Sequence, residues 1–292
     1  DATPSHSYLR YLYKYPQAEY PYRWLVDENR RRSRQDPPFN LLDTGVFQDN
    51  RYWDVDVNYA KAGPDEIHIH ITAANRGANE ATLHLLPQLW FRNTWAWGDE
   101  EKQRALAELR GDPVEPFDQK PVKPTLRAIT APDSANWAVR ADHPTLGSYY
   151  LYGRQSAEPL YTENEHNAQR LWGLTNATPW VKDSFHRRVV NGEQDAVHPG
   201  LEGTKFAAWH RLTVAGGQQA QVELVLSAAP LEQPFTHDSA VFASRQSEAD
   251  LFYRELLPEA TVEDQRILRQ SLAGMIWSKQ FFHYDVARWL DG

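Results

Sequence analysis

From residue 51 the chain alternates. Trp53, Val55, Val57 and Tyr59 fall on one side, and Tyr52, Asp54, Asp56 and Asn58 on the other. A period of two marks a strand with one face on a core. Ile67, Ile69 and Ile71 alternate with His68, His70 and Thr72 in the same way. Between these runs, Ala62 to Asp65 carries the Gly-Pro-Asp chemistry of a turn. A second turn at Asn75-Arg76-Gly77 leads into an apolar run over 81–91, where Pro87 predicts an edge or a bulge. Further strands are expected at 8–14, 126–131, 136–140, 147–152, 205–214 and 219–227. Gly216-Gly217 between the last two reads as a hairpin.

Elsewhere the pattern is helical or absent. Asp99 to Arg110 is rich in Glu, Lys, Ala and Leu, which predicts a short surface helix. Pro113, Pro116, Pro121 and Pro124 then count against regular structure. The stretch 153–200 is polar and aromatic and is expected to be irregular; loops of such length are often functional. The run Arg30-Arg31-Arg32-Ser33-Arg34 reads as a solvated helix end. After Pro234 the period lengthens. A helix is expected from Ser239 to Leu257, stopped by Pro258. A second begins at Thr261, with Asp264 placed for a capping box and Ile267, Leu268, Leu272, Met275 and Ile276 at helical spacing. Strands first and helices last predict a mainly β chain. We expect a large antiparallel β-sandwich domain over 1–235 and a helical segment over 239–292.

Composition narrows the function. Net charge is −8 over 292 residues, which argues against general nucleic-acid binding. No apolar run approaches the length of a membrane helix. The chain has no cysteine, which excludes disulfides and thiolate chemistry and fits a reducing, cytoplasmic setting. Its 11 Trp, 14 Tyr and 11 Phe fit two readings: rings that fill a sheet core, or rings that stack on sugars.

Candidate chemistry is sparse. His68 and His70 share one strand face about 7 Å apart, and with His84 they would give three imidazoles for zinc. The plainer reading, the polar face of an alternating strand, is preferred, so no metal and no cofactor are expected. Asp54 and Asp56 share a face, and Asp285 and Asp291 lie near the end. Glycoside hydrolysis uses two carboxyl groups about 5 Å apart for retention or about 6.5–9.5 Å for inversion. Leu89 to Gly98 runs from a strand into a loop bearing Arg92, Asn93, Trp95 and Trp97. Rings for stacking and forks for hydroxyls make these four the candidate substrate-binding residues. The alternative is a strand end whose tryptophans pack under the helix at 99–110.

Four segments resemble bacterial members of glycoside hydrolase family 63: YLRYLYKYPQ over 8–17, LDTGVFQDNRYWDV over 42–55, LWFRNTWAWG over 89–98 and MIWSKQFFHYDV over 275–286. The resemblance extends over nearly the whole chain and implies an N-terminal sandwich followed by an (α/α)6 barrel. It implies inverting hydrolysis of glucosylated oligosaccharides by an acid and a base deep in that barrel. The family's acid lies in a Trp-Asp motif on a later barrel segment; here that pair occurs only at Trp53-Asp54, in a strand. The expectation is therefore the sandwich plus the first barrel helices, with no catalytic residue in this chain. Two alternatives stay open: a stand-alone carbohydrate-binding module, and a structural domain without sugar affinity. Apolar helix faces left uncovered would favour self-association.

Overall fold

The computed structural model describes residues 1–95, 123–256, 258–279, 286 and 290. The helix expected at 99–110, Trp97, Asp285 and Asp291 lie outside the described residues. Within them the chain is mainly β, with α1 (Tyr22–Arg31) ending in the expected run of arginines. The strands are β1 (Tyr8–Pro16), β2 (Tyr52–Gly63), β3 (Glu66–Asn75), β4 (Ala81–Leu85), β5 (Gln88–Trp90), β6 (Thr125–Ile129), β7 (Trp137–His143), β8 (Gly147–Gly153), β9 (Glu158–Thr162), β10 (Glu202–Gly203), β11 (Lys205–Val214) and β12 (Gln219–Ser227).

Eight strands form one antiparallel sheet in the order β1-β2-β3-β12-β8-β7-β6-β10. A smaller sheet is built on β11, which pairs antiparallel with β4, β5 and β9. The alternation explains how they meet. Ile71, Val222, Leu224, Leu151, Val139 and Leu126 of the large sheet pack on Tyr161, Phe206 and Ala208 of the small one. This layer of apolar side chains between two sheets makes the fold a β-sandwich. β11 is buried on both faces from Phe206 to His210. Its second face is covered by α3 (Ser184–Val190), where Phe185 meets Leu160, Ala207 and Trp209.

Three expectations change. Pro87 does not merely bend one strand: it separates β4 from β5, and its carbonyl accepts from Ala208 N at 3.0 Å. The stretch 153–200 is not irregular throughout; it contains β9, α2 (Ala168–Trp172) and α3. Gly216-Gly217 does not close a hairpin. β11 lies in the small sheet and β12 in the large one, so the turn crosses between layers. The reason is local. A Cβ on Gly216 would sit 2.2 Å from the carbonyl oxygen of Ala78, so the turn lies against the other crossover, between β3 and β4. Asn75, 1% exposed, ties the two corners together. Its amide donates to Asn79 O at 2.8 Å and Val214 O at 2.9 Å, and its backbone N–H to Gln218 O at 2.9 Å.

Two late helices follow, as expected: α4 (Asp238–Leu256) and α5 (Val262–Ser278). Thr261 caps α5 by accepting from Asp264 N at 3.2 Å. α4 lies on the outer face of the large sheet, over β1, β2 and β3, and buries Ala249 and Tyr253. α5 buries only Ala273 among its described residues. Arg269 of α5 reaches Asp1 at 2.5 Å and Asp250 at 2.6 Å. No described helix is long and apolar enough to cross a membrane.

Candidate functional site

The loop after β5 meets the chain that leaves β9. Glu163, Asn164 and Glu165 continue the strand's alternation, held by Glu163 N to Trp180 O at 2.7 Å and Lys182 N to Glu165 O at 3.0 Å. The alternation separates their side chains. Asn164 turns to the β5 loop: its amide donates to Phe91 O at 3.0 Å, and Asn93 Nδ2 donates to Asn164 O at 2.6 Å. Glu163 and Glu165 share one cation. Lys123 Nζ lies 3.2 Å from Glu163 Oε2 and 3.7 Å from Glu165 Oε1. Thr204 Oγ1 donates to Glu163 at 2.7 Å, and the Trp95 indole N–H donates to Glu165 at 2.9 Å.

Both carboxylates are largely buried, 14% and 13% exposed, so they are oriented before any ligand arrives. Lys123 thus pairs with both carboxylates among the described residues. Ionised carboxylates of this kind accept hydrogen bonds from hydroxyls.

Of the four sequence candidates, Asn93 and Trp95 enter this site. Arg92 is exposed beside it, and Trp97 lies outside the described residues. Trp95 is buried at 9% and contributes its N–H rather than an open ring face. Glu163, Glu165 and Lys123 were not legible as site residues. The Glu-x-Glu spacing was the available signal, but it fell in a stretch read as irregular.

The other candidates part company. His84 is on β4 in the small sheet, where it accepts the Trp209 indole N–H at 2.9 Å; His68 and His70 are on the large sheet's outer face. The three cannot share a zinc ion. Burial, with Arg211 nearby, pushes the His84 imidazole below its ordinary pKa. Asp54 and Asp56 do share an open outer groove of about 360 Å³. Each is matched by cations: Lys14 at 2.6 Å and Arg76 at 2.7 Å on Asp54, and Arg10 at 2.7 Å on Asp56. Burial would raise the Asp54 carboxyl, but the Lys14 and Arg76 hydrogen bonds outweigh it and hold it below the usual range. It is thus poorly suited to donate a proton.

His68 and His70 meet the start of α4. His68 is 1% exposed; its Nδ1 lies 2.8 Å from Asp238 and its Nε2 2.8 Å from Glu66. His70 Nε2 lies 2.5 Å from the other Asp238 oxygen, and its ring stacks on Phe242 at 3.9 Å. Ligand atoms of His70, Asp238 and Glu223 lie within 4.8 Å of one another. Asp238 is shared by two imidazoles, and Glu223 Oε2 lies 2.6 Å from Arg154, although that oxygen makes no hydrogen bond among the described residues. A guanidinium and a helix N-terminus both oppose an added cation. The group is an ion-pair network in this fold.

No family model matches the chain. Over 319 aligned residues it is 30% identical to uncharacterized protein YMR196W of Saccharomyces cerevisiae; the match covers 100% of this chain and 29% of that protein. The chain thus spans less than a third of its curated relative. Among solved structures, a polysaccharide lyase overlaps 63% of the chain and 21% of its own, at 9% identity and TM-score 0.31. An aldose 1-epimerase candidate of Escherichia coli K12 overlaps 77% and 66%, at 8% identity and TM-score 0.29. Overlaps this low leave fold and function to be argued from the chain's own residues.

Proposed function

We propose that this chain is the β-sandwich part of an inverting α-glucosidase similar to glycoside hydrolase family 63. Its substrates are glucosylated oligosaccharides, and its catalytic carboxylates lie outside the chain. α4 and α5 then begin an (α/α)6 barrel, and the protein works in the cytoplasm. One observation carries the reading: Asn93 and Trp95, in a segment that resembles the family, converge with Glu163, Glu165 and Lys123 on one edge. Fixed acceptors beside an indole suit a neutral polyhydroxyl ligand. In the intact enzyme an acid protonates the leaving oxygen while a base activates water on the opposite face. The sandwich edge holds the sugar and contributes no proton transfer.

The test is glucose release from α-linked glucosyl disaccharides, by this chain and by a chain extended through the following helices. Release only by the extended chain is expected. Replacing Trp95 and Trp97 with Ala there should raise KM about tenfold or more, a loss of about 1.4 kcal/mol or more. Release by the short chain would place a catalytic pair within these residues. Sugar affinity of the short chain without any hydrolysis by the long one would favour a carbohydrate-binding module.

A further inference from the structure

The buried histidine under the first turn of α4 has a protonation state that follows from geometry. Each ring nitrogen of His68 faces a carboxylate oxygen at 2.8 Å. An ionised carboxylate only accepts, and a neutral imidazole has one N–H, so a neutral ring would set a lone pair against an oxygen. Both bonds are made when His68 carries both protons. That charge then faces the carboxylates of Asp238 of α4 and Glu66 of β3. From the same strand His70 holds the second oxygen of Asp238, while Glu223 of β12 is matched by Arg154 beyond β8.

We propose that the protonated His68 is a pH-sensitive latch that pins the start of α4 to the outer face of the large sheet. The rest of α4 is held by other contacts. Arg245 donates to Lys61 O at 2.7 Å, and the Tyr253 hydroxyl donates to Ala2 O. Loss of the His68 proton therefore weakens the hold on the first turns, where His70 and its stack on Phe242 remain, and leaves the middle and end of the helix docked. The link between sandwich and helices loosens at its entry point.

The sign follows from both partners. Burial alone would lower the His68 pKa, but hydrogen bonds and charges from Asp238 and Glu66 outweigh it and raise it above 6.5. Its contribution is full below that ordinary value and is lost as pH rises through the raised one. Burial would raise Asp238, but bonds from His68 and His70 hold it far below 3.8, so its contribution fails only in strong acid. The latch is closed below the ordinary imidazole value and opens as pH rises through the raised one.

Hydrogen–deuterium exchange along α4, corrected for intrinsic rates, tests this. Between about pH 6 and about pH 9, amides of the first turns should lose about tenfold or more in protection. Amides near Tyr253 should change little. His68→Gln should remove the pH dependence and leave the first turns open throughout. Glu66→Gln, at a partly exposed position, should move the opening to lower pH and serves if His68→Gln does not fold. Protection of the first turns independent of pH would overturn the proposal, as would a pH dependence unchanged in both variants. Added zinc ion that raises protection there would make the cluster a metal centre and overturn it as well.

Discussion

At the scale of single residues, burial and partnering decide what each side chain is worth. Asn75 and Tyr161 are both almost completely buried, at 1% and 0% exposed. Asn75 spends its amide on two carbonyls from different corners of the sandwich. Tyr161 does the opposite: its hydroxyl is buried with no hydrogen-bond partner among the described residues, and burial pushes its pKa far up. Its ring, against Phe206 at 5.0 Å, is what the core uses. Tyr161→Phe should therefore leave stability unchanged or raise it by about 1 kcal/mol, because an unsatisfied buried group is removed without losing the ring. Urea unfolding checks this; a loss of about 2 kcal/mol or more would mean the hydroxyl is satisfied. Sequence alone could not separate the two residues. Both follow from which groups lie across the layer, and alternation gives facing without naming partners.

At the scale of elements, strands were legible because period two survives wherever one face is buried. β2 and β3 fall where the alternation put them, and β7, β8, β11 and β12 overlap the strands expected at 136–140, 147–152, 205–214 and 219–227. Connections were less legible. A glycine pair reads the same whether it closes a hairpin or turns a corner between sheets, and Gly216-Gly217 turns a corner. Gly216→Ala tests that placement. The added Cβ would meet the Ala78 carbonyl at 2.2 Å, whereas one on Gly63 would meet nothing within 4 Å. The clash is with backbone, which cannot swing aside, so a loss of about 1–3 kcal/mol is expected, as for overpacking. Gly63→Ala, in the β2–β3 turn, should stay within about 0.5 kcal/mol. Equal effects at both sites would argue against the crossover. The site followed the same logic. Asn93 and Trp95 stood out because aromatic and amide groups end a strand. Glu163 and Glu165 did not, because the strand they follow is five residues long and takes its place by pairing with β11.

At the scale of the whole molecule, the helices expose what the sandwich does not need. On α5, Val262 is 77% exposed, Ile267 56% and Met275 69%; on α4, Leu251 is 50% exposed. The large sheet covers one side of α4, and α5 docks mainly through Arg269 and the Trp277 indole bond to Asp1 O. Apolar side chains left in water favour association, and the driving force grows with the area removed from water. This chain alone should therefore self-associate, with a weight-average mass that rises with concentration in sedimentation. Met275→Lys together with Ile267→Lys should return it toward monomer, since neither residue is among those buried in the fold. If these faces instead belong against further barrel helices, the extended chain should be monomeric where the short one is not. A monodisperse monomer of the short chain at every concentration would show that the exposed faces are too dispersed to act as a patch. The case for a barrel would then rest on sequence resemblance alone. Association of short and extended chains alike would point to a true oligomer interface, with the barrel placed elsewhere.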